Sequence, residues 1–353
     1  MSLTHPPRTA VSREDATPPA APARLAPRMV ALLATVGVLL LLVLASATLG
    51  ARDVGLADVV AALRGGTDTV GQAAVSLRIP RTILALTCGA ALGMAGTVMQ
   101  GLARNPLADP GLLGITPGAS LAVVSGMAFF SLSSPTATVW VAIAGAGVTA
   151  VAVHTLGSLG RGGATPMKLA LAGAAATASL TSLISAVLLP RADVMNSFRF
   201  WQIGGVGGAD FGRIGMVTPF LVVGFVLSFL AARGLNALAL GDDLAAGLGE
   251  RVVLVRTLAG VAAVLLCGAA TAVAGPIAFV GLVVPHACRL LVGTDHRWLL
   301  PFAALVGAGL LVIADVVGRL VARPEEIDVG IVTAVIGAPI FIAIVRRQKA
   351  RAL

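Results

Sequence analysis

Ten apolar runs divide the chain, at about 29–49, 82–103, 112–132, 136–157, 166–189, 213–233, 252–274, 276–292, 299–321 and 329–346. Most approach the ~20 residues that a helix needs to cross a bilayer. The pattern predicts an all-α polytopic membrane protein with about ten transmembrane helices, and an even number puts both termini on one side. Residues 1–28 hold six prolines and four arginines but no apolar run, so they are expected to form a disordered cytoplasmic tail. Ala45-Ser46-Ala47 resembles a signal-peptidase site, yet the long tail ahead of it and the span-length run favour an uncleaved first helix. The expected division is a tail over 1–28, a membrane domain over 29–346 and a short cytoplasmic tail over 347–353.

The runs are not independent of one another. Residues 88–114 match 267–293 without a gap at ten of 27 positions, beginning with Cys88-Gly-Ala-Ala and Cys267-Gly-Ala-Ala and including Pro106 with Pro285. The first copy starts in the second span and the other in the seventh, which run in opposite directions. An internal inverted repeat is therefore expected, a device common in transporters. Gly89, Gly93, Gly96 and Gly101 fall about one turn apart in the first copy, a face that lets helices pack closely in lipid.

Composition excludes a soluble enzyme, because 57% of residues are hydrophobic and only 12% charged, which leaves no polar surface for water. The net charge of +9 does not indicate nucleic acid, since the basic residues are scattered between apolar runs. Of the 25 Lys and Arg residues, sixteen flank the side of the termini and nine the other side. The positive-inside bias places both termini in the cytoplasm and the chain in the cytoplasmic membrane. Cys88, Cys267 and Cys288 sit inside apolar runs without metal-ligand spacing and read as small buried hydrophobes.

No metal site, cofactor site or catalytic set is expected. The four histidines are dispersed, no nucleophile–base motif occurs, and no phosphate loop is present, so the chain is not expected to be an enzyme. Asp315 and Arg319 lie four apart on one helical face and can pair. A single neutralised carboxylate makes a poor proton relay, which disfavours an ion-coupled secondary transporter and leaves the energy to a partner. The loop 234–250 is the most informative connection. Asp242 can cap a short helix and Gly249 can end it. With Gly241, Asp243, Leu244, Ala245 and Leu248, this segment forms a short apolar-faced helix on the cytoplasmic side, suited to a groove on a soluble partner.

That loop resembles the coupling loop of binding-protein-dependent ABC importer permeases. Four further stretches, Arg78-Ile-Pro80-Arg81, Gln100 to Gly114, Gly275 to His286 and Gly330 to Phe341, are similar to the iron-siderophore, haem and cobalamin uptake permeases. The resemblance spans about residues 75–345. It implies a dimer of permease subunits (homodimer or related heterodimer), two cytoplasmic ABC ATPases that hydrolyse ATP, and an extracytoplasmic binding protein. It also implies that Arg78, Arg81 and Arg319 meet acidic residues of the binding protein. Asn105 and Leu107 match one element of a cytoplasmic gate and Pro166 and Met167 the other, where the cobalamin permease carries hydroxyl residues instead. The expected function is import of a ferric siderophore by alternating access, favoured by the pattern Arg199-Phe-Trp201 to Gly204-Gly205, with haem or cobalamin as the nearest alternatives.

Overall fold

The computed structural model describes residues 25–50, 54–159 and 165–351. Most of the expected N-terminal tail, Arg52, Arg161 and residues 352–353 lie outside them. Thirteen α-helices occur among the described residues. They are α1 (Leu25–Thr48), α2 (Leu56–Leu63), α3 (Val70–Ala103), α4 (Ile115–Phe130), α5 (Pro135–Ser158), α6 (Pro166–Leu188) and α7 (Ala192–Ile203), followed by α8 (Phe211–Leu238), α9 (Asp242–Gly247), α10 (Val252–Ala274), α11 (Val280–Val292), α12 (His296–Val321) and α13 (Val329–Arg351). All ten expected runs are helical. Seven helices are long and apolar enough to cross a membrane, whereas α4, α11 and the apolar part of α13 are shorter. At 1.5 Å per residue the 13 residues of α11 reach only about 20 Å. Such a break is tolerated at membrane depth only where protein surrounds it, and α11 packs against α3, α12 and α13.

Several helix ends shift by a few residues from the sequence expectation, and two of the differences move assigned residues. The helix expected from residue 82 begins at Val70, because Thr69 and Gln72 form a reciprocal capping box at its start. Arg78, Pro80 and Arg81 therefore lie inside α3, not ahead of it. At the other terminus, α13 continues to Arg351, through most of the segment expected as a tail.

The core is built around α3. Seventy-eight per cent of its most apolar window is buried, against 6% for α1, which faces outward along most of its length. Close packing explains the glycine stripe. A Cβ at Gly89 would overlap the Gly307 carbonyl, one at Gly93 the Ala303 carbonyl, and one at Gly96 the Gly281 carbonyl. The stripe is thus a backbone-to-backbone seam of α3 with α11 and α12. We expect Gly96→Leu to destabilise the fold by several kcal/mol, beyond the ~1–3 kcal/mol of ordinary overpacking, because backbone cannot yield as a side chain does. Thermal unfolding in detergent measures this, and a midpoint equal to wild type would refute the seam.

Contacts at the helix ends give the directions. Arg104, at the C-terminal end of α3, and Arg256, in the first turns of α10, both reach Asp242. At the opposite end, Arg81 of α3 lies near Gly207, while Ala274 at the end of α10 accepts from the Gly205 amide. Hence α3 and α10, which carry the two sequence copies, run antiparallel as the inverted repeat requires. The gapless match does not persist structurally, since Pro106 lies in a loop and Pro285 within α11.

Candidate functional site

The chemistry-bearing residues gather at the two ends of the bundle. At the end holding Arg104 and Arg256, α8 turns into the short helix α9. Gly241, at φ 113°, makes the turn and stands at the N-cap. Asp242 was expected to cap this helix, but it is the first helical residue and no side-chain cap bond forms. Its carboxylate instead takes two arginines: Oδ2 lies 2.7 Å from Arg256 Nη2, and Oδ1 meets Arg104 Nη2. The expected stop at Gly249 is present. Gly249, at φ 85°, donates to Ala246 O and Glu250 donates to Ala245 O, the paired bonds of a Schellman ending that needs a residue with positive φ.

The faces of α9 are unequal. Ala245 is fully buried, which corrects its expected place on an outward apolar face, while Leu244 and Leu248 are 62% and 66% exposed. Asp243 is exposed beside them. Leu244 and Leu248 are thus the large apolar side chains that α9 presents outward.

The expected gate residues lie near this end. Asn105 closes a turn by accepting the Leu107 amide on Oδ1 at 2.9 Å, and Leu107 is half-buried. Asp109 then caps a single 3₁₀ turn, Pro110–Leu113, by accepting from Gly111 N at 2.8 Å, and burial pushes its carboxyl up from the usual range. Pro166 opens α6 behind the Thr165 cap, and Met167 is exposed. The 3₁₀ turn packs on α6. No hydrogen bond joins the Asn105–Leu107 turn to Met167 among the described residues.

Sequence reasoning missed a polar cluster beside them. Asn236 of α8 bonds Asp295 and the ring of His296, while Gln100 of α3 accepts from Arg289 and donates to the Gly281 carbonyl. The first set ties α8 to the start of α12 and the second ties α3 to α11. The Asn236 and Arg297 contacts hold the Asp295 carboxyl below the usual range against the opposing effect of desolvation, which is the largest single influence on it.

At the opposite end, Arg78, Arg81 and Arg319 were expected to face a partner. The structure turns all three inward. Arg81 Nε lies 2.7 Å from Asp315 Oδ1, and its Nη1 meets Glu326. Arg319 Nη2 lies 2.8 Å from Asp315 Oδ2, so the pairing expected from their spacing forms, and Asp315 serves two cations. Asp315 is 0% and Arg319 1% exposed. The physical reason is the end of α1, whose last carbonyls have no partner within the helix. Arg319 donates to Ser46 O and Leu49 O, and Arg78 donates to Ala47 O and Thr48 O, all at 3.0–3.1 Å. Guanidinium groups also complement the negative end of the helix dipole. Only Asp315 with Arg319 was visible as a spacing, since the acceptors on α1 are backbone atoms that no residue type advertises.

The Gly204-Gly205 pair is a junction. Gly204, at φ 77°, packs its Cα face on the Pro276 carbonyl, and its own carbonyl accepts from Gly330 N. Gly205 N donates to Ala274 O. The pair fastens the end of α7 to the break between α10 and α11 and to the start of α13.

Comparison with known proteins agrees with this architecture. The model of the FecCD transport family matches residues 38–347. The ferric enterobactin transport system permease protein FepD of Escherichia coli (strain K12) is 44% identical over 321 residues, covering 90% of this chain and 96% of that protein. The iron(3+)-hydroxamate import system permease protein FhuB of Bacillus subtilis (strain 168) is 43% identical, covering 86% and 79% respectively. Among solved structures, a transporter assigned to the metal-chelate ABC type, in an inward-facing conformation, superposes with a TM-score of 0.79 at 26% identity and covers 90% of this chain and 99% of that one.

Proposed function

Because the chain belongs to the FecCD transport family, and is thus an ABC transporter permease of the cytoplasmic membrane and not an enzyme, we propose that it imports a ferric siderophore by alternating access. In this reading two permease subunits line the path, two ATPases bind at the α9 end and a binding protein delivers the chelate at the Asp315 end. The termini are cytoplasmic, which fits the excess of basic residues on their side.

The observation that carries the proposal is the pair of exposed leucines on α9. Leu244, Leu248 and Asp243 form the surface the ATPase grips, and Gly241 and Gly249 set its angle. ATP binding and hydrolysis then move α9, and the Asn105–Leu107 turn with Pro166 and Met167 opens or closes the path. Arg78, Arg81 and Arg319 serve docking from beneath: Arg81 holds Glu326 of the loop 322–328, where Arg323 and Glu325 are exposed to a partner, and Arg78 and Arg319 hold the neighbouring end of α1. The siderophore is favoured over haem by the two relatives above, whose names specify ferric enterobactin and an iron(3+)-hydroxamate.

The test is uptake of radiolabelled iron into proteoliposomes holding the permease, its ATPase and its binding protein. Uptake of ferric enterobactin or a ferric hydroxamate, but not haem, is the expected result. Haem uptake without either chelate would replace the substrate and leave the permease assignment. The purified chain alone should hydrolyse no ATP, and turnover free of any ATPase would overturn the permease assignment.

A further inference from the structure

Asp242 joins three pieces of the fold at one carboxylate. It opens α9, and its two oxygens hold Arg256 of α10 and Arg104 of α3. The Arg256 arm repeats a connection the chain already makes, since α9 runs into α10 after a few residues. The Arg104 arm does not, because α3 is remote in sequence from α9.

Two observations set Arg104 apart. Its backbone is left-handed, at φ 48° and ψ 34°, where α3 ends. Helix ends in this conformation favour glycine, and a long side chain there carries strain. In addition, Arg104 ends the most buried helix of the bundle, and the chain passes directly from it into the Asn105–Leu107 turn. From Arg104 to Arg81 the helix runs about 35 Å at 1.5 Å per residue, and Arg81 pairs there with Asp315 and Glu326.

We propose that Arg104 and Arg256 are positioning residues that clamp the coupling helix through Asp242, and that the Arg104 arm transmits movement of α9 along α3 to the opposite end of the bundle. The proposal rests on the reading of α9 as the ATPase surface. The clamp is half-exposed, so it contributes little to stability. Its role is mechanical: it makes α9 and α3 move as one body.

The test uses the permease–ATPase complex in detergent and a single reactive cysteine. Cys88, Cys267 and Cys288 are buried, so Glu325→Cys supplies an accessible thiol in the far loop. Its rate of labelling by a maleimide is measured with and without ATP. In the parent background ATP should change that rate. Arg104→Gly should reduce the nucleotide effect by up to about fivefold, the most that a half-exposed pair worth ~1 kcal/mol can transmit. The same substitution relieves the left-handed backbone, so thermal stability should hold or rise, and a reduced nucleotide effect is then not a consequence of unfolding. Arg104→Lys should keep much of the effect, and Arg256→Gln should lower it less than Arg104→Gly does. Arg104→Gly made on top of Asp242→Asn should add nothing, because the partner is already gone. An undiminished nucleotide effect in Arg104→Gly, or no effect of ATP in the parent, overturns the clamp. Failure of the coupling reading is seen separately: if Leu244→Asp still co-purifies with the ATPase, α9 is not the docking surface and the clamp falls with it.

Discussion

Asp315→Ala is expected to destabilise the protein by about 3–5 kcal/mol, the cost of removing one partner from a buried ion pair. Asp315 holds both Arg81 and Arg319 and is closed off from solvent. Without it, Arg81 retains Glu326, but the acceptors left to Arg319 among the described residues are the α1 end carbonyls, the Ser46 hydroxyl and the backbone carbonyl of residue 315, none of which neutralises its charge. The midpoint of thermal unfolding in detergent should fall sharply. Asp315→Leu combined with Arg319→Met removes both charges, and should recover part of the loss, since the cost lies in the unpaired ion more than in the missing attraction. A change within about 0.5 kcal/mol for Asp315→Ala, as for an ordinary surface substitution, would show that the network is hydrated and open. The experiment also bears on docking. A charge reversal at Arg319 or Arg81 would lose binding-protein capture through collapse of this network, so the exposed Arg323 and Glu325 are the informative positions for a salt-dependent contact.

This network marks the boundary of what was legible in the sequence. The Asp315–Arg319 pair follows from a spacing of four on a helix, and the pattern 88–114 against 267–293 anticipates two antiparallel helices. The Gly249 end of α9 was equally readable, because turns with positive φ have few residue choices. Three features were not. The start of α3 is encoded by Thr69 and Gln72, but the apolar run beyond Pro80 outweighs so local a signal. The inward turn of Arg78 and Arg319 depends on backbone carbonyls of α1, some 30 and 270 positions away along the chain. Asp242 reads as a cap in one dimension, and becomes a link to Arg104 and Arg256 only once α3, α8 and α10 have packed. Local chemistry is written in neighbouring residues, whereas burial of a charge is decided by elements that meet late.

The largest functional effect is expected on α9. Leu244→Asp or Leu248→Asp should abolish co-purification with the ATPase and stop transport, while the permease still inserts and unfolds at its normal temperature. Both side chains stand in the open in the isolated chain, so a carboxylate at either position is hydrated and costs the permease almost nothing. Within an apolar groove the same charge is stripped of water without a partner, at a cost of several kcal/mol. At about 1.4 kcal/mol per tenfold in affinity, such a cost weakens the contact by a thousandfold or more. Ala245→Asp is the necessary contrast. Ala245 is buried against the permease itself, so a charge there should damage folding and lower the unfolding temperature before any partner is present. Co-purification, transport and unfolding temperature, measured on the three variants, separate the outward face from the inward one. If Leu244→Asp and Leu248→Asp bind the ATPase and import as wild type does, the two leucines rest on lipid, and the ATPase is held elsewhere.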